Sequence, residues 1–268
     1  MSDTMRYVVV TSHERGLASL FVRMLGDAVP SIAVPTVLLC RGARASGDLR
    51  HNLFRRFKKI RRIGPLGALN GLRMRRWYGS AVSHQLRIPN IRQACKTADV
   101  GLVEISSFWD RDSQKRLLDL DAHFAISLGN GLIPEAFFSL PRYGTINVHH
   151  EVLPEYRGAQ TALWQIHNGS RVTGFSIHQM NRRIDGGRVL LSEVMPILFR
   201  RSLRDTIVQT TCAVQERSIK RLFDVIANFD TLRSIAPDIG AGTLYTTPGA
   251  MAMLRIYRNH TRLRRAES

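Results

Sequence analysis

Acidic side chains are scarce in this chain. Twenty-one Asp and Glu stand against 39 Lys and Arg, leaving a formal charge of +18 on 268 residues. A field of that sign attracts phosphorylated small molecules, nucleic acid or an anionic membrane face, and charge alone does not choose among them. Cysteine is scarce too. Cys40, Cys95 and Cys212 are widely spaced and odd in number, so neither a disulfide framework nor a metal-knuckle spacing is present, and no metal site is predicted. No apolar run reaches the roughly 20 residues that span a bilayer. The first residues lead straight into an apolar strand without a signal-peptide cleavage pattern, which predicts a cytoplasmic protein. The G-x-G-x-x-G dinucleotide fingerprint is also missing. The turn Ser12–Gly16, placed where such folds bind phosphates, carries a single glycine.

What is present is an alternation of strand and helix patterns over a chain that is 44% hydrophobic. Arg6 to Thr11 reads as a buried strand. Leu17, Leu20, Phe21, Met24 and Leu25 follow a helical spacing, and Val34 to Leu39 reads as a second strand. This opening predicts an α/β fold with a doubly wound, mostly parallel, Rossmann-like sheet. From Arg41 to Arg92 the alternation stops. That stretch contains Arg55–Arg62 and Arg73–Arg76, with Asp48 as its only acid, and reads as a basic helical insertion. Leu53, Phe54, Phe57 and Ile60 would stripe one helix of it, facing either a membrane surface or the chain's own domain. Alternation then resumes, with a helix predicted from Ala159 to Asn168 and a long one opened by the cap Ser202-Leu-Arg-Asp205 and reaching about Asn228. The predicted organisation is a catalytic domain over residues 1–200 and a C-terminal helical extension with a basic tail over 201–268.

Asn147 and His149 lie two apart on a predicted strand and therefore share a face, while His150 points away. An uncharged amide donor beside an imidazole suits a developing oxyanion and a proton transfer. By itself such a pair is more often structural. Its surroundings change that: Glu151-Val-Leu-Pro-Glu-Tyr-Arg-Gly158, then Trp164-Gln-Ile-His-Asn-Gly169, Thr173-Gly174 and Ile184-Asp-Gly-Gly187.

In order and spacing, from Ala122 to Ile197, these elements resemble the folate-dependent formyltransferases, the family of glycinamide ribonucleotide, methionyl-tRNA and amino-sugar formyltransferases. The resemblance implies 10-formyltetrahydrofolate as co-substrate and Asn147, His149 and Asp185 as the catalytic trio. It also implies a pterin slot built from Gly131, Leu132 and Ile133 before the catalytic strand and from Ile184 and Gly186 around the Asp. His178 reads as structural rather than catalytic. Two positions depart from the family pattern. His150 and Glu151 replace a small residue or proline and a serine, and Glu151 would put a carboxylate close to the site, there to tune His149 upward or hold a cationic substrate.

The amine acceptor is less specified. About 40 residues follow the long helix, too few for the C-terminal β domain of methionyl-tRNA formyltransferases, so no nucleic acid is required as partner. A nucleotide-activated amino sugar, its phosphates held by arginines, is the leading expectation. Hydroxyornithine formylation for a siderophore is the enzymatic alternative. A non-catalytic RNA- or lipid-binding protein is the alternative of another class. An anionic membrane surface and a homodimer both stay open.

Overall fold

The computed structural model describes residues 5–27, 35–42, 64, 67–158 and 160–266. Most of the basic stretch, including the stripe Leu53, Phe54, Phe57 and Ile60, lies outside the described residues. Seven strands form one sheet in the order β3-β2-β1-β4-β5-β7-β8. They are β1 (Tyr7–Thr11), β2 (Thr36–Cys40), β3 (Gly101–Ile105), β4 (Phe124–Ser127), β5 (Thr145–His149), β7 (Val172–Gln179) and β8 (Val189–Pro196). The first five run parallel, and β7 and β8 add an antiparallel edge. A separate pair joins β6 (Tyr156–Arg157) to β9 (Thr243–Leu244).

Parallel strands covered on both faces must be apolar on both, and β1 is buried along its whole length. Its alternate residues feed two cores. Tyr7 and Val9 join the larger cluster, with Phe21 of α1 (Leu17–Met24) and Phe124. Val8 and Val10 join the smaller one, with Phe108, Leu117 and Phe137. Phe124 stacks on Tyr7 at 5.6 Å and on Phe229 at 3.9 Å. The smaller core is closed by α5 (Arg111–Asp119) and the short α6 (Glu135–Phe138).

On the larger-core side lie the helical residues 67–75 (α2), which run through a π-helical Arg76–Ala81 into α3 (Val82–Gln85), then α4 (Ile91–Thr97) and the long α8 (Leu203–Ala227). Ser202 caps α8, its Oγ accepting from the Asp205 N–H at 3.0 Å. Ile207, Val214 and Leu222 of α8 belong to the same core as β1 and β5. The long helix of the C-terminal extension thus packs its apolar side chains on the sheet. The following α9 (Phe229–Ile235) and α10 (Ala250–Arg265) add Phe229, Met253, Ile256 and Leu263 to that core, with the short β9 between them.

The helix expected from Ala159 is much shorter: α7 runs Leu163–His167. Ala162 has φ 62°, and its N–H goes to Glu151 Oε1 at 2.8 Å, so the chain turns there before any helix starts. Gly169, at φ 81°, ends α7 as the sequence suggests.

The order of strands matters for function. From β1 the chain moves outward to β2 and β3, then returns to β4 on the other side of β1. Crevices form beyond the carboxyl ends of strands near such a reversal. The Gly129–Ile133 loop leaves β4 there, and Asn147 and His149 end β5 beside it.

Candidate active site

Antiparallel pairing sets Asn147 of β5 opposite His178 of β7, and Val148 opposite Ile177. Ile146 and Val148 enter the larger core, so Asn147 and His149 face the other way. His150 follows the core-side pattern, its Nε2 lying 3.4 Å from Ser218 Oγ on α8. Burial lowers its pKa to about 3.

The Nε2–H of His149 donates to the Tyr156 carbonyl at 2.8 Å. A carbonyl can only accept, so Nε2 keeps its hydrogen and Nδ1 is the nitrogen that gains or loses a proton. That Nδ1 lies 3.6 Å from Asp185 Oδ2. The two side chains therefore form a close pair when the ring is charged.

Asp185 sits on the β7–β8 turn with φ 47°, a conformation that Asp tolerates better than most residues. Its Oδ2 accepts from the Gly158 N–H at 2.9 Å. The preceding carbonyl, that of Ile184, accepts from Arg157 Nε at 2.8 Å and from a second guanidinium nitrogen at 2.6 Å. Two residues on, a Cβ on Gly187 would stand 1.8 Å from the Gln179 carbonyl oxygen, so only glycine closes this turn.

His178 is the residue that sequence reasoning undervalued. Its Nδ1–H donates to the Gln179 carbonyl at 2.9 Å, leaving Nε2 as an acceptor 3.3 Å from Asn147 Nδ2. The same Nε2 lies 3.7 Å from Asp185 Oδ1. Burial lowers its pKa to about 4 against the opposing pull of Asp185, so near neutral pH it is an uncharged acceptor. It thereby fixes the rotation of the Asn147 amide. The β5–β7 register creates this contact, and no local sequence pattern carries it.

These groups line one cleft of about 840 Å³. Gly131, Leu132, Ile133 and Ile184 line it as well, together with Trp109. Leu132 is 69% exposed and Ile184 52%, two apolar side chains on opposite loops. Ile133 is buried in the smaller core. Gly186 is not among the lining residues: its Cα is turned toward Arg183, where a Cβ would come within 2.6 Å of the Arg183 Cβ. Asn130 ties the β4 loop to the sheet, its Nδ2 donating to Val10 O at 2.7 Å and to Ser127 Oγ at 3.1 Å. A larger groove of about 1050 Å³, between α2 and the start of α8, contains none of the trio.

Glu151 does not act as the sequence suggested. Its carboxylate is fully buried and turned toward Ala162 N–H, Gln165 Nε2 and Thr173 Oγ1, not toward His149. Burial pushes its pKa well above the usual carboxylate range, with the bonds from Thr173 and Ala162 working the other way. Its place is under the turn that precedes α7, where a longer acceptor reaches three donors.

Residues 75–226 match the family model described as formyl transferase. That match covers more than half of the chain. The chain belongs to the formyl transferase family. It is 34% identical over 144 residues to a methionyl-tRNA formyltransferase of Anaplasma marginale, covering 54% of this chain and 46% of that protein. A methionyl-tRNA formyltransferase of Nitrosomonas europaea is 37% identical over 100 residues, 37% of this chain and 31% of the relative. The chain thus spans less than half the length of these curated relatives. Among solved structures, glycinamide ribonucleotide transformylase 1 of Symbiobacterium toebii superposes with a TM-score of 0.56 at 13% identity, over 90% of this chain and 94% of that one. A sugar N-formyltransferase from a Shewanella species gives 0.55 at 14%, over 97% and 88%. At those identities the likeness is one of fold.

Proposed function

We propose that this chain transfers a formyl group from 10-formyltetrahydrofolate to a primary amine, with Asn147, His149 and Asp185 as catalytic residues. The observation that carries the reading is their convergence, from one strand and one distant turn, at the wall of a single cleft. When bound, the donor supplies an electrophilic formyl carbon. Leu132, Ile184 and Trp109 offer apolar surface for a flat ring. Asn147, one amide hydrogen already engaged by His178, turns the other to the formyl oxygen. His149, protonated at Nδ1, adds a charge-assisted donor as that oxygen becomes negative. Asp185 holds the charged ring and accepts the proton that the attacking amine must lose. As the oxyanion collapses, the bond between the formyl carbon and the donor nitrogen breaks, and that nitrogen takes the proton and leaves as tetrahydrofolate.

Part of the cleft wall is polar without formal charge. Tyr78, Gln160, Thr161, Thr211 and Gln215 line it. Hydroxyl and amide side chains of this kind suit hydroxyl or amide groups on a ligand. This favours an amino sugar, nucleotide-activated, with Arg182 and Arg183 at the cleft as candidate phosphate contacts. The names of the curated relatives favour an aminoacyl-tRNA instead. Incubating purified chain and formyl donor with nucleotide amino sugars, hydroxyornithine and methionyl-tRNA separates these. A mass gain of one formyl group on an amino sugar is expected. Gain only on the tRNA overturns the acceptor assignment, and no gain on any amine overturns formyl transfer.

An anionic membrane contact is favoured by α10. Met253, Ile256 and Leu263 face the core, while Met251, Leu254, Arg255, Arg258 and Arg262 are exposed, with no acid in the helix. Arginines interleaved with exposed aliphatic groups suit lipid better than RNA. Sedimentation with phosphatidylserine vesicles is expected, and failure to sediment at low salt overturns it.

A further inference from the structure

Both partners of the His149–Asp185 pair rest on one short segment. Tyr156 supplies the carbonyl that holds His149, and two residues later Gly158 supplies the N–H that holds Asp185. Yet β6, which contains Tyr156, makes no ladder with the seven-stranded sheet. Its ladder partner is β9, from the far end of the chain, with Tyr156 beside Thr243 and Arg157 beside Leu244.

The contacts around β9 are dense and specific. Tyr245 N–H donates to the Arg157 carbonyl at 2.8 Å. The Tyr245 ring stacks on Tyr156 at 5.3 Å and leans on Trp164 at 4.8 Å. Trp164 Nε1–H donates to the Thr246 carbonyl at 3.0 Å. Asn168 Nδ2 reaches both tyrosine hydroxyls, at 3.4 and 3.2 Å. The backbones also approach without room to spare. A Cβ on Gly242 would stand 1.5 Å from the Pro154 carbonyl oxygen, and one on Gly158 would stand 2.9 Å from the Tyr245 carbonyl oxygen. Beyond the strap, α10 is fastened to α7 by Asn259 Nδ2, which donates to the Ile166 and His167 carbonyls at 3.1 and 2.8 Å.

We infer that residues 242–246 are a positioning element of the catalytic pair, clamping β6 so that Tyr156 fixes the His149 tautomer and Gly158 fixes the Asp185 carboxylate. The inference rests on the formyl-transfer reading for its kinetic consequence, and on geometry alone for its effect on His149. No residue of the strap lines the cleft, so it works through Tyr156 and Gly158 and not on a substrate. Catalytic groups must be held to within a fraction of an ångström, and a supporting shell that loosens them lowers turnover rather than affinity.

The test uses the full chain with Tyr245→Ala, which removes the stack, and Tyr245→Phe, which keeps it. Histidine ¹⁵N NMR reads which ring nitrogen of His149 carries the hydrogen, whether or not the protein turns over a substrate. Tyr245→Ala is expected to lose the fixed Nε2–H tautomer and to lower kcat roughly tenfold with the donor KM little changed. Tyr245→Phe should restore both. Gly242→Ala, which strikes the same strap from the Pro154 side, should repeat the Tyr245→Ala result and serves if that variant does not fold. An unchanged His149 tautomer in a folded Tyr245→Ala or Gly242→Ala protein overturns the inference. If the wild-type chain formylates nothing, the function fails while the NMR arm still decides the strap.

Discussion

Asn147 has one amide hydrogen left to give once His178 has taken the other. At the scale of the residue, the proposed site depends on such assignments. Asn147→Ala should cost roughly a hundredfold in kcat, the usual effect of losing one oxyanion donor, and steady-state kinetics would measure it. His178→Ala should cost less, several-fold in kcat at unchanged donor KM, because it removes one orienting bond worth about 1 kcal/mol. His178→Gln, which presents an acceptor again, should recover part of that loss. That Asn147, His149 and Asp185 would meet at one cleft could be read from the chain, because they sit in a spaced series of motifs. His178 could not, since its role comes from which residue of β5 it faces. Glu151 was misread for the same kind of reason: adjacency in sequence to His149 says nothing about which way the carboxylate turns, and three buried donors turned it inward.

Elements were legible where one pattern governed them. The α8 start was visible in Ser202-Leu-Arg-Asp205, and Ser202→Ala should destabilise the fold by about 1 kcal/mol in urea unfolding. The strands of the parallel sheet were visible as apolar runs. Packing between elements was not, and Phe124 shows why. Nothing local predicts that it is sandwiched between Tyr7 and Phe229. Phe124→Ala should cost about 3–5 kcal/mol, a loss that calorimetry would report as a large fall in Tm. The Ala159–Asn168 helix failed as a prediction because propensity competed with a tertiary bond. Glu151 captures the Ala162 N–H, and the helix begins only after it.

For the whole molecule, the buried imidazoles of His178, His150 and His260 weaken the fold as pH falls, and the raised Glu151 carboxyl works the other way. The pKa of His178 is lowered to about 4 and that of His150 to about 3, against 6.5 when exposed. Both are neutral in the folded chain at pH 7, and unfolding below pH 6.5 lets them charge. Their contribution is therefore complete above pH 6.5. It is lost as pH falls, by about 1.4 kcal/mol per pH unit for each, until the folded pKa values are reached. Urea unfolding at pH 7 and pH 5 should show that decline, and a His150→Gln, His178→Gln variant should flatten it. The fold class was legible at this scale because strand and helix periods alternate. The packing of α8 on the central core was not, because a cap and a period locate a helix without saying which element its buried face meets.

The pairing of β6 with β9 also has a consequence for how the protein is made. Segments distant in sequence meet late, because a long loop must close before their contacts repay it. While the chain emerges from the ribosome, the sheet, Asn147, His149 and Asp185 are all synthesised before Thr243 and Tyr245. A nascent chain with its donor cleft assembled would still lack the clamp on Tyr156. In pulsed hydrogen exchange during refolding, the Tyr245 amide should gain protection after those of β1, β4 and β5. Catalytic competence would then wait on the synthesis and docking of residues 242–246.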